Sequence, residues 1–385
     1  MAGHRVDVIV AGLGAMGSQA LAECARRGLR AVGFDRFSPP HDQGSSHGLS
    51  RIIREAYFED PVYVPLVHRA FERWAALEAE TGAVLYRRTG GLCYGPPDGT
   101  LVAGARRSAQ LHGLPHERLD AAAIRARFPA FRVRDGWEGV LEPRAGMLAP
   151  EACIAAALAV AERRGAVVRR DEPVLRWWQE GESVVVETAA GRTAAAHLVI
   201  SAGMWVRSLL EEGAPTPMPL ALTVQRNVLY WWEPAGEPGW FAPDRCPVFL
   251  GEIAPDLIWY GFPDTGDGVK VALHHFGPPT APDAVDRVVQ PGEVAHLRAL
   301  LAEWMPAVNG RLRATGVCTY TNAPDEHFII DRHPDADRVF VASPCSGHGF
   351  KFASAIGEVL ADLVETGTSR FDLGPFALGR AGLRL

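Results

Sequence analysis

Gly12, Gly14 and Gly17 stand in "VDVIVAGLGAMGSQAL", directly after an apolar run, and Asp35 closes the next such run 18 residues after Gly17. Bare backbone at these positions is what a pyrophosphate needs. Gly12 permits a tight turn, Gly14 lets phosphates approach the main chain, and Gly17 allows close helix-to-strand packing, while the helix N-terminus adds N–H donors and a positive dipole. Asp35 would accept bonds from ribose hydroxyls and repel a 2′-phosphate. The combination predicts an ADP-containing dinucleotide, NAD or FAD; a lone Gly-x-Gly-x-x-Gly is also met by a sharp turn with nothing bound.

Further along, cations sit where sequence pattern does not ask for them. Arg51 and Arg54 flank two isoleucines in "SRIIREAY", with Tyr57 three residues on, a spacing that predicts one face of a helical turn. The competing reading is a solvated face with salt bridges to Glu55 and Glu59. Lys270, in "GVKVALHHF", lies on an otherwise apolar predicted strand, where a lone lysine commonly guards a sheet edge against aggregation. His274 falls four residues later, on the same strand face, and Tyr260 opens "YGFP" one loop earlier. Lys351, in "GHGFK", opens a predicted exposed helix, where a positive charge opposes the macrodipole and calls for a use. Cys318 begins "CTYTNAPDEHFIIDRHP". The cysteines at 24, 93, 153, 246, 318 and 345 form no Cys-x-x-Cys pair and no zinc-like grouping with histidine. Each is by default a small buried apolar residue, with no disulfide framework in a reducing compartment and no metal site.

The elements that must position these residues alternate in type. Val6, Val8, Ile9 and Val10 read as a strand buried on both faces of a parallel sheet, and Met16, Ala20, Leu21 and Cys24 as a helix that Gly28 stops. After a polar, turn-rich stretch, "DPVYVPLVHRAFERWAALEAETG" has Asp60 and Pro61 as cap and first turn, Val67, Ala70, Phe71, Trp74 and Leu77 on one face, and Gly82 at its end. A second, Ala-rich helix covers 151–165, and short strands up to "HLVISAGMW" predict an antiparallel meander laid over the parallel sheet. Residues 216–310 read as largely β, with a helix from Pro291 to Trp304. The last third returns with "RVFVA", the Gly-rich turn "SPCSGHGFKF" and a helix. The expected architecture is α/β: a dinucleotide-binding domain from 1–90, 151–215 and 311–385, and a second, mainly antiparallel β substrate domain from 91–150 and 216–310. A Gly-rich turn at each end of the chain favours FAD over NAD, because a long cofactor with a ring system needs both turns. Backbone N–H groups at Gly347 and Gly349 would then approach the flavin's pyrimidine edge, where negative charge appears on reduction.

The bulk properties narrow the partners. The chain has 385 residues, 48% of them hydrophobic, and a formal charge of −6 with no lysine or arginine run. That argues against nucleic acid or an anionic membrane and for small molecules. A strand begins almost at once and no stretch is apolar enough to span a bilayer, so a cytoplasmic location is expected.

Over essentially its full length the chain resembles the monomeric sarcosine oxidase and N-methyltryptophan oxidase family, flavin amine oxidases of the glutathione-reductase-like, D-amino acid oxidase type. The matching stretches are "GLGAMGSQAL", "DRFSPPHDQGSSHGLSRIIREAY", "YVPLVHRAFERWAALEAETG", "YGFP", "CTYTNAPDEHFIIDRHP" and "CSGHGFKFASAIGEVL". The resemblance implies a monomer with FAD joined to Cys318 as an 8α-S-cysteinyl bond, oxidation of a secondary amino acid, and reduction of oxygen to hydrogen peroxide. A thiolate beside cations can attack the electrophilic methyl carbon of an oxidised flavin. The resemblance further places Arg51, His47, Ser50 and Val174 at the cofactor, and Arg54, Lys351 and Tyr57 at the substrate. A guanidinium fork grips a carboxylate with two bonds, and two cations select an amino acid over a simple amine. Lys270 would assist oxygen above the flavin, with His274 and Tyr260 in the substrate cavity. Hydride equivalent passes from the carbon next to nitrogen to flavin N5, giving an imine that water hydrolyses. Leu49 stands where the family is usually acidic, Ser50 replaces threonine, Pro344 and Cys345 replace a Gly-aromatic pair, and the loop between Tyr260 and Lys270 is shorter by one. Sarcosine, N-methyltryptophan, pipecolate and a specialised metabolite all stay open as substrate. The rival readings are a flavin dehydrogenase with another electron acceptor, a NAD-linked dehydrogenase and a nucleotide-binding regulator.

Overall fold

The computed structural model describes residues 6–343 and 346–384. Strand Val6–Ala11 pairs in parallel with Ala31–Phe34 on one side and Gly191–Ile200 on the other, and Val167–Arg169 extends the first of these. Strand Gly191–Ile200 is long enough to serve two partners. Its first half pairs antiparallel with Ser183–Thr188, and its second half pairs in parallel with Ala336–Ser343. The predicted meander is therefore part of the parallel sheet and is not laid over it. Helix Ala15–Arg26 covers this sheet and is flanked by Pro150–Arg163 and Ala353–Thr366.

Helix Val64–Thr81 follows the predicted signals closely. The Asp60 carboxylate accepts the Val62 N–H at 2.8 Å, Pro61–Tyr63 form a 3-10 turn, and Gly82 ends the helix at φ 71°. Its buried face holds Val67, Ala70, Phe71, Trp74 and Leu77, each large side chain contributing roughly 1.5–3 kcal/mol of transfer free energy.

A second sheet runs Leu312–Asn322, Thr223–Trp232, Val269–Leu273, Leu257–Phe262, Val248–Ala254, Gly91–Gly95, Glu138–Glu142 and Glu117–Asp120, antiparallel except where Gly91–Gly95 meets Val248–Ala254. Its edge strand Leu312–Asn322 lies far along the chain, beside the segment that returns to the first sheet. Side chains alternate across this sheet. Tyr230, Trp232, Val269 and Val271 pack with Leu297, Leu301 and Trp304 of helix Pro291–Trp304. Leu229, Trp231, Ala272 and Cys318 occupy the opposite face. A three-stranded sheet joins Arg51–Ile53 to Gly146–Leu148 and Tyr86–Arg88. Arg51 thus lies on a strand, not a helical turn, because two β-branched isoleucines follow it and an antiparallel partner is at hand. No helix among the described residues is long and apolar enough to cross a membrane.

Candidate active site

The opening turn is closed to a side chain at Gly12 and Gly17. Gly12 has φ 93°, and a Cβ there would lie 2.6 Å from the Ser201 carbonyl oxygen. A Cβ on Gly17 would meet the Gly12 carbonyl oxygen at 1.7 Å, whereas around Gly14 only Ser46 Oγ comes as near as 3.8 Å. Gly14 caps helix Ala15–Arg26 without any side-chain bond, so the first-turn N–H groups are available to an anion. Asp35 also braces the turn: its Oδ2 accepts the Leu13 N–H at 2.6 Å and its Oδ1 the Phe37 N–H at 2.8 Å.

One cavity of ≈ 510 Å³ is lined by Gly12, Gly14, Asp35 and Val174 at one end and by Arg51, Arg54, Tyr260, His274, Cys318, Gly347, Gly349 and Lys351 at the other. Gly17, His47, Ser50, Tyr57 and Lys270 do not line it; of these, Ser50 accepts from Arg51, Tyr57 from Lys351, and Lys270 lies over the Phe262 ring. Pro344 and Cys345 lie outside the described residues.

Cys318 faces this cavity, and its Sγ accepts from Arg51 Nη2 at 3.4 Å. The same guanidinium donates to the Ser50 and Ser45 carbonyls, both at 2.8 Å. Burial pushes the thiols of Cys24, Cys93 and Cys246 up to about 12 and raises that of Cys153 as well. Among the described cysteines, Cys318 alone lines the cavity.

Lys270 is a central-strand residue, not an edge guard, since Val269–Leu273 pairs on both sides. It is 2% exposed, and its Nζ donates to Gly48 O at 2.7 Å, Ser50 O at 3.0 Å and Ser50 Oγ at 3.2 Å. Burial, then the nearby Arg51, pushes its pKa well below the usual lysine value. His274 stands just past the strand's end at Leu273, on the side of the sheet that carries Tyr260 and Tyr320. Its Nδ1 is 3.4 Å from the Tyr320 hydroxyl, and its ring meets Tyr260 edge to face. Burial holds His274 well below the usual histidine value and His47 at about 4.

Arg54 and Lys351 converge nearby. Arg54 is buried beside the Tyr57 and Phe58 rings, and its Nη2 donates to Glu59 Oε1 at 2.8 Å and Oε2 at 2.6 Å. The solvated-face reading is corrected in two ways: the pair is buried, and Glu55 instead takes Arg144 at 2.8 Å. Burial alone would raise the Glu59 carboxyl, but Arg54, His348 and Lys351 hold it below the usual range. Lys351 lies in the 3-10 turn Phe350–Phe352 and is buried, not exposed. Its Nζ donates to His348 O at 2.7 Å and the Tyr57 hydroxyl at 3.2 Å, and burial with Arg54 lowers its pKa to about 7.

Three residues gain significance only here. Tyr320, two along from Cys318, was recoverable from strand alternation. His348 binds the Tyr57 hydroxyl through Nδ1 at 2.6 Å and had no signal beyond its glycine neighbours. Glu59 had none that set it above Glu55.

The residues present fit a flavin dinucleotide. A glycine-bare turn and an acid stand at one end, a cysteine with a guanidinium at the other, and the cavity wall carries Thr321, whose buried hydroxyl has no partner. Residues 7–363 match the family described as FAD dependent oxidoreductase, to which the chain belongs. Within that class it is an amine oxidase of the sarcosine and N-methyltryptophan oxidase group. It is 42% identical to the monomeric sarcosine oxidase of Streptomyces avermitilis over 96% of each chain. It is 37% identical to the N-methyl-L-tryptophan oxidase of Citrobacter koseri, over 98% of this chain and 99% of the relative. Among solved structures, NikD, an amino acid oxidase of nikkomycin biosynthesis, superposes with a TM-score of 0.85 at 24% identity, covering 96% of both chains. Glycine oxidase from Geobacillus kaustophilus superposes at 0.81 with 21% identity, over 98% of this chain and 99% of that one. These two establish the fold.

Proposed function

We propose that the protein is a covalent-FAD oxidase of a secondary-amine amino acid, converting the C–N bond to an imine while dioxygen leaves as hydrogen peroxide. The observation that carries this is the pairing, in one cavity, of a buried two-cation clamp, Arg54 and Lys351, with the Arg51–Cys318 contact. The substrate carboxylate is held by Arg54 and Lys351, displacing the Glu59 carboxylate that now occupies Arg54. The two cations and the poorly solvated cavity favour the neutral amine, so no dedicated base is needed. Tyr260, His274 and Tyr320 shape the wall around the reacting carbon. FAD, when bound, takes up the hydride equivalent from the carbon beside nitrogen. Gly12, Gly14, Asp35 and Val174 would hold its adenosine end, with Gly17 letting the helix pack against the turn; Arg51 would face its ring side, with His47 and Ser50 behind it, and Gly347 and Gly349 its pyrimidine edge. Cys318 supplies the covalent link, and Lys270 offers a positive charge to the oxygen being reduced.

The reading is supported further by the names of the relatives. It goes with a division into a dinucleotide-binding part, 1–90, 151–215 and 311–385, and a substrate part, 91–150 and 216–310, with strand Leu312–Asn322 crossing over to edge the second sheet, acting as a cytoplasmic monomer. The experiment is anaerobic mixing with a panel of secondary amino acids. At least one bleaches the yellow flavin, air restores the colour with peroxide released, and acid precipitation leaves colour with the protein. Bleaching without peroxide on re-aeration would identify a dehydrogenase, and a colourless supernatant pellet pair would refute a flavoprotein.

A further inference from the structure

The three groups given the central roles above share one support. Lys270 hangs on the carbonyls of Gly48 and Ser50. Arg51, which contacts Cys318, is tied to the carbonyls of Ser45 and Ser50. The loop 45–50 therefore positions both the ammonium and the thiol. It is not a relaxed loop. Gly48 has φ 96° and a Cβ there would press on Leu229 Cδ1 at 2.6 Å. Leu49 sits at φ 68° with its side chain 48% exposed, a conformation an unsupported leucine avoids.

What holds the loop in this shape is a carboxylate from another element. Glu151 Oε1 accepts the Gly48 N–H at 2.7 Å and the Leu49 N–H at 3.1 Å. The placement follows from strand register: Arg51 pairs with Leu148, Ile52 with Met147 and Ile53 with Gly146. Continuing that antiparallel register beyond the strands brings residue 151 opposite residue 48. There the chain enters helix Pro150–Arg163, and Glu151 occupies its first turn, where an acidic side chain is favoured by the macrodipole.

We propose that Glu151 is a positioning residue: it fixes loop 48–50, and through the loop's carbonyls it sets Lys270 for the oxygen step and Arg51 for covalent attachment at Cys318. The inference rests on the functional reading above. Its test uses holoenzyme of Glu151→Ala, Glu151→Gln and Glu151→Asp beside Lys270→Met. Stopped-flow follows anaerobic reduction and reoxidation separately, acid precipitation gives the fraction of flavin retained by protein, and hydrogen exchange reports the amides of 48 and 49. Glu151→Ala slows reoxidation about tenfold or more while anaerobic reduction stays within about twofold, as expected for a displaced catalytic group. It also lowers the retained flavin fraction and deprotects both amides. Glu151→Gln, whose amide oxygen still accepts the N–H groups, restores most of each loss.

Parent-like reoxidation and flavin retention in Glu151→Ala would overturn the proposal, as would an equal fall in both half-reactions. Should the alanine variant not fold, Glu151→Asp keeps the charge at the helix start but withdraws it from the loop. A selective loss of reoxidation there supports the proposal, and parent-like behaviour in every readout overturns it. If Lys270→Met leaves reoxidation unchanged, it is the reading of Lys270 that fails, and Glu151 is then judged on flavin retention alone.

Discussion

The two ends of the cavity are built on opposite principles. At the Gly12–Gly17 end the chain excludes side chains, and the working groups are backbone N–H donors and the braced Asp35 carboxylate. At the Cys318 end it concentrates side chains: Arg54, Lys270 and Lys351 are all buried, drawn from separate strands and turns. Burying charge is costly unless it is paired. The first end is thus shaped by sterics, and the second by buried cations, of which Arg54 is already paired with the Glu59 carboxylate. Steric failure at the first should be total, while failure at the second should be graded and specific to a step.

The sharpest way to break this contrast is Gly17→Ala, whose added methyl would overlap the Gly12 carbonyl. We expect protein purified almost without flavin absorbance, and a fully yellow variant would deny the turn its role. Next comes Lys270→Met, which removes the buried ammonium. Reoxidation should fall by roughly 10²–10³, the range for losing a preorganised electrostatic group, with anaerobic reduction retained. An equal fall in both would remove Lys270 from the oxygen step. Arg54→Gln should raise the Kd of a carboxylate ligand about 10- to 100-fold, from a charged hydrogen bond worth about 1.5–3 kcal/mol. A Kd unchanged in titration would show that Glu59 is never displaced.

The smallest effect concerns pH. Lys351, lowered by burial and Arg54 to about 7, is cationic below that value and neutral above it. Carboxylate binding should therefore weaken as pH rises through 7, with proton uptake on binding above it, and Lys351→Met should flatten the profile. The stability sign runs the other way. Between about 7 and the usual 10.5 the unfolded chain binds more protons at this group than the native one, so its contribution to stability rises with pH across that window. A pH-independent Kd in the parent protein would detach Lys351 from the clamp.

The comparison also marks what can be read without coordinates. The glycine turn, Asp35, the cap at Asp60 and the helix face from Val67 to Leu77 are set by neighbours in the chain, so composition and spacing report them directly. Local spacing puts Arg51 on a helical turn and leaves open whether the strand of Lys270 is central or at an edge, because strand pairing partners are remote and leave no trace in local periodicity. The Glu151 brace likewise joins residues about a hundred positions apart, and although Arg54 and Glu59 are near neighbours in the chain, only burial singles out Glu59 over Glu55.

By itself, then, the order of residues determined the glycine turn with its acid at Asp35 and the caps and faces of the main helices, since each follows from local sterics or residue chemistry. Only the tertiary structure decided which carboxylate Arg54 takes, that Lys270 and Lys351 are buried, and that Glu151 reaches Gly48. The physical reason is range: backbone conformation answers to the nearest few residues, whereas desolvation and pairing of charge answer to whatever the fold brings within about 4 Å.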